Sequence, residues 1–151
     1  MYKLIAVLVI VILGLSSCQI RPDPIRYGSD LCSYCHMTIV DKQFAAQLVT
    51  NKGRTKKFDA IECMVSFLKT EDKNDYAMFL ITDFENPGDL IDATLSTYLI
   101  SPSLPSPMGA FLSGFAHRNS AERIREENGG EILNWIQLKS HLNNSHDMIS
   151  H

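Results

Sequence analysis

The 151-residue chain has little net charge and no basic stretch interleaved with aromatic residues. Its 14 Lys and Arg residues are outnumbered by 17 Asp and Glu residues, which gives a formal net charge of −3. Nucleic-acid binding needs a basic patch that neutralises phosphates, so we predict no nucleic-acid partner. The sequence also lacks a cofactor-binding loop and a nucleophile with an identifiable base, so we predict that the protein is not an enzyme.

The apolar run at the N-terminus is too short to span a bilayer with margin. It covers residues 4–13 behind a single basic residue, Lys3, whereas a transmembrane helix needs about 20 apolar residues. A short apolar core behind a basic start is typical of a secretory signal peptide, which we assign to residues 1–17. The run closes on Leu-Ser-Ser-Cys, which resembles a bacterial lipobox and implies cleavage before a lipidated Cys18. The alternative is an uncleaved membrane anchor that ends in an incidental cysteine.

These N-terminal features predict a protein of the cell envelope, lipid-anchored to a membrane on its periplasmic or outer face. Residues 18–29 are polar and Pro-rich, and we predict that they form a flexible tether. Residues 30–140 are long enough to form a folded domain with a real core. We expect the remaining residues, 141–151, to be a disordered tail.

Cysteine is scarce, and its count is odd once Cys18 is set aside. The remaining thiols belong to Cys32, Cys35 and Cys63. Exported proteins that use disulfides usually carry an even set of cysteines. We therefore predict that at least one of these thiols stays outside any internal disulfide and that the thiols have another role.

Sulfur-containing side chains are concentrated in the stretch Cys-Ser-Tyr-Cys-His-Met, residues 32–37. Thiolate and thioether are soft ligands, which favour Cu(I) over hard cations. In an extended segment, residues two apart project to the same side, so Cys35 and Met37 are predicted to face one Cu(I) ion. Cys32 joins them if the loop before it folds back, and His36 is a further candidate if the segment is irregular.

Two more sulfur positions are candidates for additional ligands or for contacts that support the ligands. Cys63 lies on the less apolar edge of a predicted helix, where it is either a packed thiol or a metal ligand. Met108 lies in a Pro-rich loop, which is an unusual place for a core residue.

Two alternatives to a copper site stay open. One is an exported thiol reductase that uses the C-x-x-C pair, although such a pair normally opens a helix after a strand and here it precedes predicted strands. The other is a structural zinc site, in which Cys63 and a histidine would complete four ligands. The usual second Cys-Cys or His-His pair for zinc is absent from the sequence.

Hydrophobic patterning predicts an α+β fold built from two related ββαβ units, over residues 30–86 and 94–140. Each predicted central helix follows a phenylalanine, Phe58 or Phe115, and Asp59 is predicted to cap the first helix. The predicted strands cover residues 38–40, 44–50, 55–58, 76–84, 94–102, 110–116 and 131–135, and the predicted helices cover residues 59–69, 118–130 and 136–142.

Three single positions carry local predictions. Gly53 is predicted to adopt a positive φ in a tight turn, Gly129 is predicted to stop the second helix, and Glu62 is predicted to lie on the small polar face of the first helix.

Several of these stretches resemble the NosL family of copper-binding lipoproteins. The first half does so in CSYCHMTI and FAAQLVTNKGRTKKFDAIECM, and the second half in YLISPSLPSPMGAFLSGFA and SAERIREENGGEILNW. The similarity covers roughly residues 30–138. It implies a two-unit ββαβ architecture that is related in fold to organomercurial lyase.

The resemblance also implies a function in denitrification. NosL proteins bind Cu(I) outside the cytoplasmic membrane and deliver copper for assembly of nitrous oxide reductase, so the implied partners are a copper-accepting enzyme and a copper donor protein. The family's metal motif falls here on Cys35 and Met37, and Cys32 matches an extra cysteine that some members carry. A Met-Gly element of the family falls on Met108 and Gly109.

Overall fold

The computed structural model describes residues 20–147. The predicted signal peptide, the lipobox and Cys18 therefore lie outside the described residues, as do residues 148–151. The regular elements in chain order are β1 (Ala46–Thr50), β2 (Thr55–Phe58), α1 (Ile61–Phe67), a short 3-10 helix (Lys73–Asp75), β3 (Tyr76–Thr82), β4 (Leu90–Asp92), β5 (Thr97–Ile100), β6 (Leu112–Phe115), α2 (Arg118–Asn128), β7 (Glu131–Leu133) and α3 (Trp135–Asp147).

The strands form two antiparallel sheets with related topology. The first sheet has the order β2-β1-β3-β4 and the second has the order β6-β5-β7. In both sheets the first strand of the unit is central, flanked by the strand before the helix and the strand after it. This arrangement agrees with the predicted pair of ββαβ units and with the α+β class. The sequence patterning missed β4, a strand of three residues that extends the first sheet beside β3.

Both faces of the first sheet are covered. Phe58 packs on Phe67 of α1 with ring centroids 5.3 Å apart, and its cross-strand neighbour Ala46 shares that face because paired residues in an antiparallel sheet point to the same side. On the opposite face, Gln47 is fully buried and donates from Nε2 to the carbonyl of Asp23 at 2.7 Å. The tight turn after β1 places Gly53 at φ +75°, as the sequence predicts.

The predicted tether is bound to the fold from Asp23 onward, so the expectation of a flexible segment through residue 29 is wrong for residues 23–29. Lys57 Nζ donates to the carbonyl of Pro24 at 2.7 Å and also forms an ion pair with Asp30 at 2.6 Å. Ile25 and Tyr27 pack against the core. The polar, Pro-rich composition does not predict these contacts, because they depend on individual side chains of β1 and β2.

The predicted strand at residues 38–40 is also wrong. Thr38 forms only an isolated bridge with Leu31, and Ile39 exchanges backbone hydrogen bonds with Asp30 and Gly28 at 2.9 and 2.8 Å. Residues 28–39 therefore form a loop that folds back on itself, and within it the N–H of Ser33 donates to the carbonyl of Lys57 in β2 at 2.8 Å.

Helix α1 begins later than predicted and lacks a side-chain cap. Ala60 occupies the N-cap position in an extended conformation, and no side chain caps the helix. Asp59 is buried instead, and its Oδ1 has no hydrogen-bond partner among the described residues. Glu62, which was assigned to a polar face, is buried as well. Both acids lie where α1 meets the cysteine loop and the second unit.

A shared hydrophobic core joins the two units. It contains Leu48 and Phe58 from the first unit with Tyr98, Leu112 and Leu138 from the second. Strands β6 and β3 come very close at Gly114, where a Cβ atom would lie 2.3 Å from the Cδ1 atom of Ile81. The two units are therefore halves of one domain.

The C-terminal helix is longer than the sequence suggested. Gly129 ends α2 as predicted, but α3 continues through Asp147. The predicted disordered tail therefore begins inside a helix, and this prediction is wrong for residues 141–147. The helix persists because Leu138 is fully buried and Leu142 packs against the core. Within residues 20–147, no helix has the length and apolarity required to cross a bilayer.

Candidate metal centre

The C-x-x-C stretch lies in a tight turn. The N–H of His36 donates to the carbonyl of Cys32 at 3.1 Å, and the N–H of Cys32 donates to the carbonyl of Met37 at 2.8 Å. His36 adopts φ +61°, a conformation uncommon outside glycine. The expectation that Cys35 and Met37 share one face of an extended segment is therefore wrong, since the alternation of a strand does not apply within a turn.

Cys63 is the third member of the cluster. It lies in the first turn of α1, where its N–H donates to the carbonyl of Ala60 at 3.1 Å. The Sγ atoms of Cys32, Cys35 and Cys63 all lie within 4.8 Å of one another. None of the three is in a disulfide. Cys32 and Cys63 are buried, whereas Cys35 is partly exposed.

The remaining sequence candidates lie around this cluster with exposed side chains. Met37 is 54% exposed and Met108 is 40% exposed, and His36 is exposed as well. Met108 and Cys63 line the same cavity of about 570 Å³, together with Tyr34. The structure therefore groups the three thiols directly, and it leaves the two thioethers at accessible positions.

Hydrogen bonds concentrate negative charge on Cys32. The pKa of Cys32 is lowered to about 4, first because the Cys63 thiol donates a hydrogen bond to it and also because the backbone N–H groups of Asp59, Cys35 and Tyr34 point at its sulfur. These effects outweigh burial, which opposes ionisation. The backbone that leads into α1 thus helps to build the site through the N–H of Asp59.

The other two thiols hold their protons more tightly. The pKa of Cys63 is raised, first by its hydrogen bond to Cys32 and then by burial. The pKa of Cys35 is raised mainly by burial. Cys35 and Cys63 therefore favour their protonated forms, and a metal ion that binds all three sulfurs displaces these two protons.

Glu62 joins the helix of Cys63 to the loop of Met108. Its Oε1 accepts a hydrogen bond from Ser106 Oγ at 2.7 Å, whereas its buried Oε2 has no hydrogen-bond partner among the described residues. Burial raises the pKa of Glu62. The Pro-rich loop is thereby fixed against α1 one residue from Cys63. The sequence patterning missed this role; the only signal was an acidic residue on an otherwise largely apolar helix.

The distances between the thiols fit a single soft metal ion. With a thiolate–metal bond of about 2.3 Å, two sulfurs on one ion are at most about 4.6 Å apart, and about 4.0 Å apart in a trigonal arrangement. The observed upper limit of 4.8 Å is within 1 Å of both values. Small rotations of the cysteine side chains would bring all three sulfurs to bonding distance.

Comparisons with known proteins agree with the sequence resemblance. Residues 26–142 match the family model for NosL. The copper-binding lipoprotein NosL of Stutzerimonas stutzeri is 30% identical, in an alignment that covers 89% of this chain and 78% of that protein. The crystal structure of the copper chaperone NosL from Shewanella denitrificans aligns with a TM-score of 0.68 and 20% identity. That alignment covers 79% of this chain and 96% of the Shewanella chain, and it shows a common fold.

Proposed function

This chain belongs to the NosL family, and from that premise we propose that it is a lipid-anchored Cu(I) chaperone of the cell envelope. One similar protein is named a copper-binding lipoprotein and another a copper chaperone. The names support a copper-binding role that is not enzymatic, with a protein that receives the copper. The observation that carries the proposal is the group of three free thiols with Sγ atoms within 4.8 Å.

We assign the ligands as Cys32, Cys35 and Cys63. Thiolate sulfur selects soft ions such as Cu(I), and the hydrogen bonds around Cys32 supply one ionised sulfur before the metal arrives. Cys32 and Cys35 were already ligands in the sequence prediction. Cys63, which was only a possible additional ligand there, is now assigned as a principal ligand. Met37 and Met108 are assigned as exposed thioethers that take up or release copper at the edge of the site.

Copper release follows from the unequal burial of the three sulfurs. Cys35 is partly exposed, whereas Cys32 and Cys63 are almost fully buried. An incoming ligand from a partner therefore replaces Cys35 first, while the two buried thiolates still hold the ion. Ligand exchange of this kind needs no redox step, and a three-coordinate ion leaves room for the incoming donor.

Nitrous oxide reductase is the proposed receiver of the copper. This part of the proposal is supported by the family resemblance, in which copper delivery to that enzyme is the implied role. Lipidation at Cys18 would keep the chaperone on the periplasmic or outer face of a membrane, where an exported copper enzyme is assembled. A copper donor protein would load the site before transfer.

A structural zinc site is the competing use of the same three thiols. Zinc in structural sites is almost always bound by four ligands. Among residues 20–147, the cluster contains three Cys, His, Asp or Glu ligands and no fourth. This count favours the low-coordinate Cu(I) ion, and a competition between the two metals separates the alternatives.

The test is a Cu(I) titration under anaerobic, reducing conditions against a chromophoric Cu(I) chelator. We expect one Cu(I) per chain and a loss of affinity of about a hundredfold or more in Cys35→Ser and Cys63→Ser, since each removes one of three thiolates. Ser33→Ala, in the same turn, is the control and should bind as the unmodified chain does. Displacement of the bound Cu(I) by equimolar Zn²⁺ would favour the structural zinc site.

A thiol reductase is the second candidate, because the lowered pKa of Cys32 is also a property of reactive thiols. The position of the pair argues against it, since Cys32 is buried and its sulfur is occupied by several hydrogen-bond donors. We expect no useful turnover of a model disulfide by the metal-free protein. Turnover that persists without metal would make the reductase the better assignment.

A further inference from the structure

The chain enters the fold beside the first residue of β2. The carboxylate of Asp23 accepts a hydrogen bond from Thr55 Oγ1 at 3.1 Å, and its carbonyl accepts one from Gln47 Nε2 at 2.7 Å. Asp23 is five positions after Cys18, and five residue steps span at most about 18 Å. A lipid on Cys18, which is part of the proposed function, therefore keeps the domain within about 18 Å of the membrane, and a second contact is needed to select its orientation.

From Asp23 the chain runs along β2 toward the cysteine cluster. Pro24 accepts a hydrogen bond from the side chain of Lys57, the N–H of Ser33 donates to the carbonyl of Lys57 at 2.8 Å, and the N–H of Asp59 points at the sulfur of Cys32. A strand rises about 3.3 Å per residue, so Thr55 and Asp59, which are four positions apart, are separated by about 13 Å. The cluster thus lies beyond the end of β2 that is opposite the turn between β1 and β2.

The turn between β1 and β2 lies at the end of β2 away from the cluster and is basic. Residues 51–56, which we call the basic turn, have the sequence Asn-Lys-Gly-Arg-Thr-Lys and contain no acid. Lys52, Arg54 and Lys56 are all exposed. Three positive charges within five residues complement a negatively charged surface.

The neighbouring 3-10 helix adds charge of both signs. Asn51 joins the turn to this helix through hydrogen bonds to the carbonyls of Asn74 and Asp75, at 2.6 and 2.9 Å. Lys73 extends the positive surface, while Asp72 accepts a hydrogen bond from the N–H of Asn74 and caps the helix. The negative charge of Asp75 opposes attraction to a negatively charged surface. The carboxylate of Asp23 also lies at the basic turn, 3.1 Å from Thr55 Oγ1, so it opposes the three cations of the turn in the same way as Asp72 and Asp75.

We propose that the basic turn rests on anionic phospholipid headgroups and that this contact, together with the lipid anchor, holds the cysteine cluster on the side of the domain away from the membrane. The inference rests on the proposed anchor. Attraction to anionic lipids falls off within a Debye length of about 8 Å, so it acts only on groups that a short tether keeps near the surface. The result is an orientation in which partly exposed Cys35 faces an approaching protein.

The experiment uses the mature lipoprotein on vesicles of phosphatidylcholine, with and without phosphatidylglycerol. Acetylation of individual lysines is followed by mass spectrometry. We expect Lys52 and Lys56 to react about threefold more slowly on the anionic vesicles. Lys42 is the internal control, because its carbonyl accepts from the N–H of Gly88 near the opposite end of the sheet, and its rate should not change.

Arg54→Glu is the variant that tests the role of charge. It should abolish the slower reaction of Lys52 on anionic vesicles, whereas Arg125→Glu, the same charge reversal on exposed α2, should preserve it. Equal rates on the two kinds of vesicle, or slowing at Lys42 instead, would overturn the proposal. Flotation of the vesicles tests the anchor separately, and a protein that does not float would refute the anchor and the orientation together. Copper titration of the same sample tests copper binding, and its outcome does not depend on the anchor or on the orientation.

Discussion

Lys57 joins three parts of the molecule, and its removal is expected to loosen the metal centre as well as the fold. Its Nζ forms an ion pair with Asp30 at 2.6 Å and donates to the carbonyl of Pro24 at 2.7 Å. Asp30 lies two residues before Cys32. Lys57→Met keeps the length of the side chain and deletes the charge, so it leaves Asp30 with exposed Arg26 as its remaining cationic partner.

The magnitude follows from the limited exposure of the pair. The Lys57 and Asp30 side chains are 15% and 9% exposed, against 66% and 38% for the Arg118–Glu122 pair on α2. Hydrogen bonds to charged groups contribute about 1.5–3 kcal/mol when shielded, whereas exposed ion pairs contribute about 0–1 kcal/mol. We therefore expect Lys57→Met to lower the free energy of unfolding by about 2 kcal/mol and Arg118→Met by less than about 0.5 kcal/mol.

The pH dependence provides an independent check. Hydrogen bonds from Lys57 and from the N–H of Arg26 lower the pKa of Asp30 to about 2, from a usual value of 3.8. A lowered pKa in the folded state means that the ionised carboxylate is stabilised there, so this contribution is complete above about pH 4 and is lost as the pH falls toward 2. The assay is urea unfolding of the metal-free protein from pH 2 to pH 7. The reasoning is refuted if Lys57→Met and Arg118→Met have the same stability at pH 7.

Three further predictions test the anchor, the core and the proton balance of the site. Cys18→Ala should release the protein from the membrane fraction or block its processing, and a variant that stays in the membrane at the size of the processed protein would contradict the lipobox. Gly114→Val should cost about 1–3 kcal/mol in thermal or urea unfolding, because its Cβ would lie 2.3 Å from the Ile81 side chain; an unchanged stability would show that the two units are packed less tightly. The pKa values of Cys35 and Cys63 are raised, so binding of Cu(I) to all three sulfurs displaces two protons. Cu(I) affinity should therefore fall about a hundredfold for each pH unit below neutrality. A tenfold fall per pH unit would mean that one thiol stays outside the coordination sphere.

Local sequence patterns predicted the elements whose burial follows a simple period. Strand β2, the turn at Gly53 and the end of α2 at Gly129 depend on short-range propensity, and the structure places them where the sequence did. The two ββαβ units were recognisable because each has its own strand-turn-strand pattern before a helix. Boundaries shifted where a tertiary contact decides them, as in α3, which is extended through the packing of Leu142.

The composition of the metal centre was less predictable than its location. The sequence identified residues 32–37 because the soft ligands are adjacent in the chain, but it assumed an extended backbone. The observed turn directs Cys32 toward α1. There its thiol lies close to that of Cys63, although the two residues are 31 positions apart in the sequence. Spacing rules within one segment cannot reveal such a contact, because it depends on how the loop packs against the helix.

The most direct test of the central claim is the number of sulfur atoms bound to copper. X-ray absorption of the Cu(I)-loaded protein should show three sulfurs at about 2.3 Å, two in Cys63→Ser and three again in Ser33→Ala. Loss of a sulfur in Cys63→Ser would tie the thiol on α1 to the two thiols of the turn in one site. A spectrum with nitrogen or oxygen ligands in place of the three sulfurs, or one that Cys63→Ser leaves unchanged, would contradict the account.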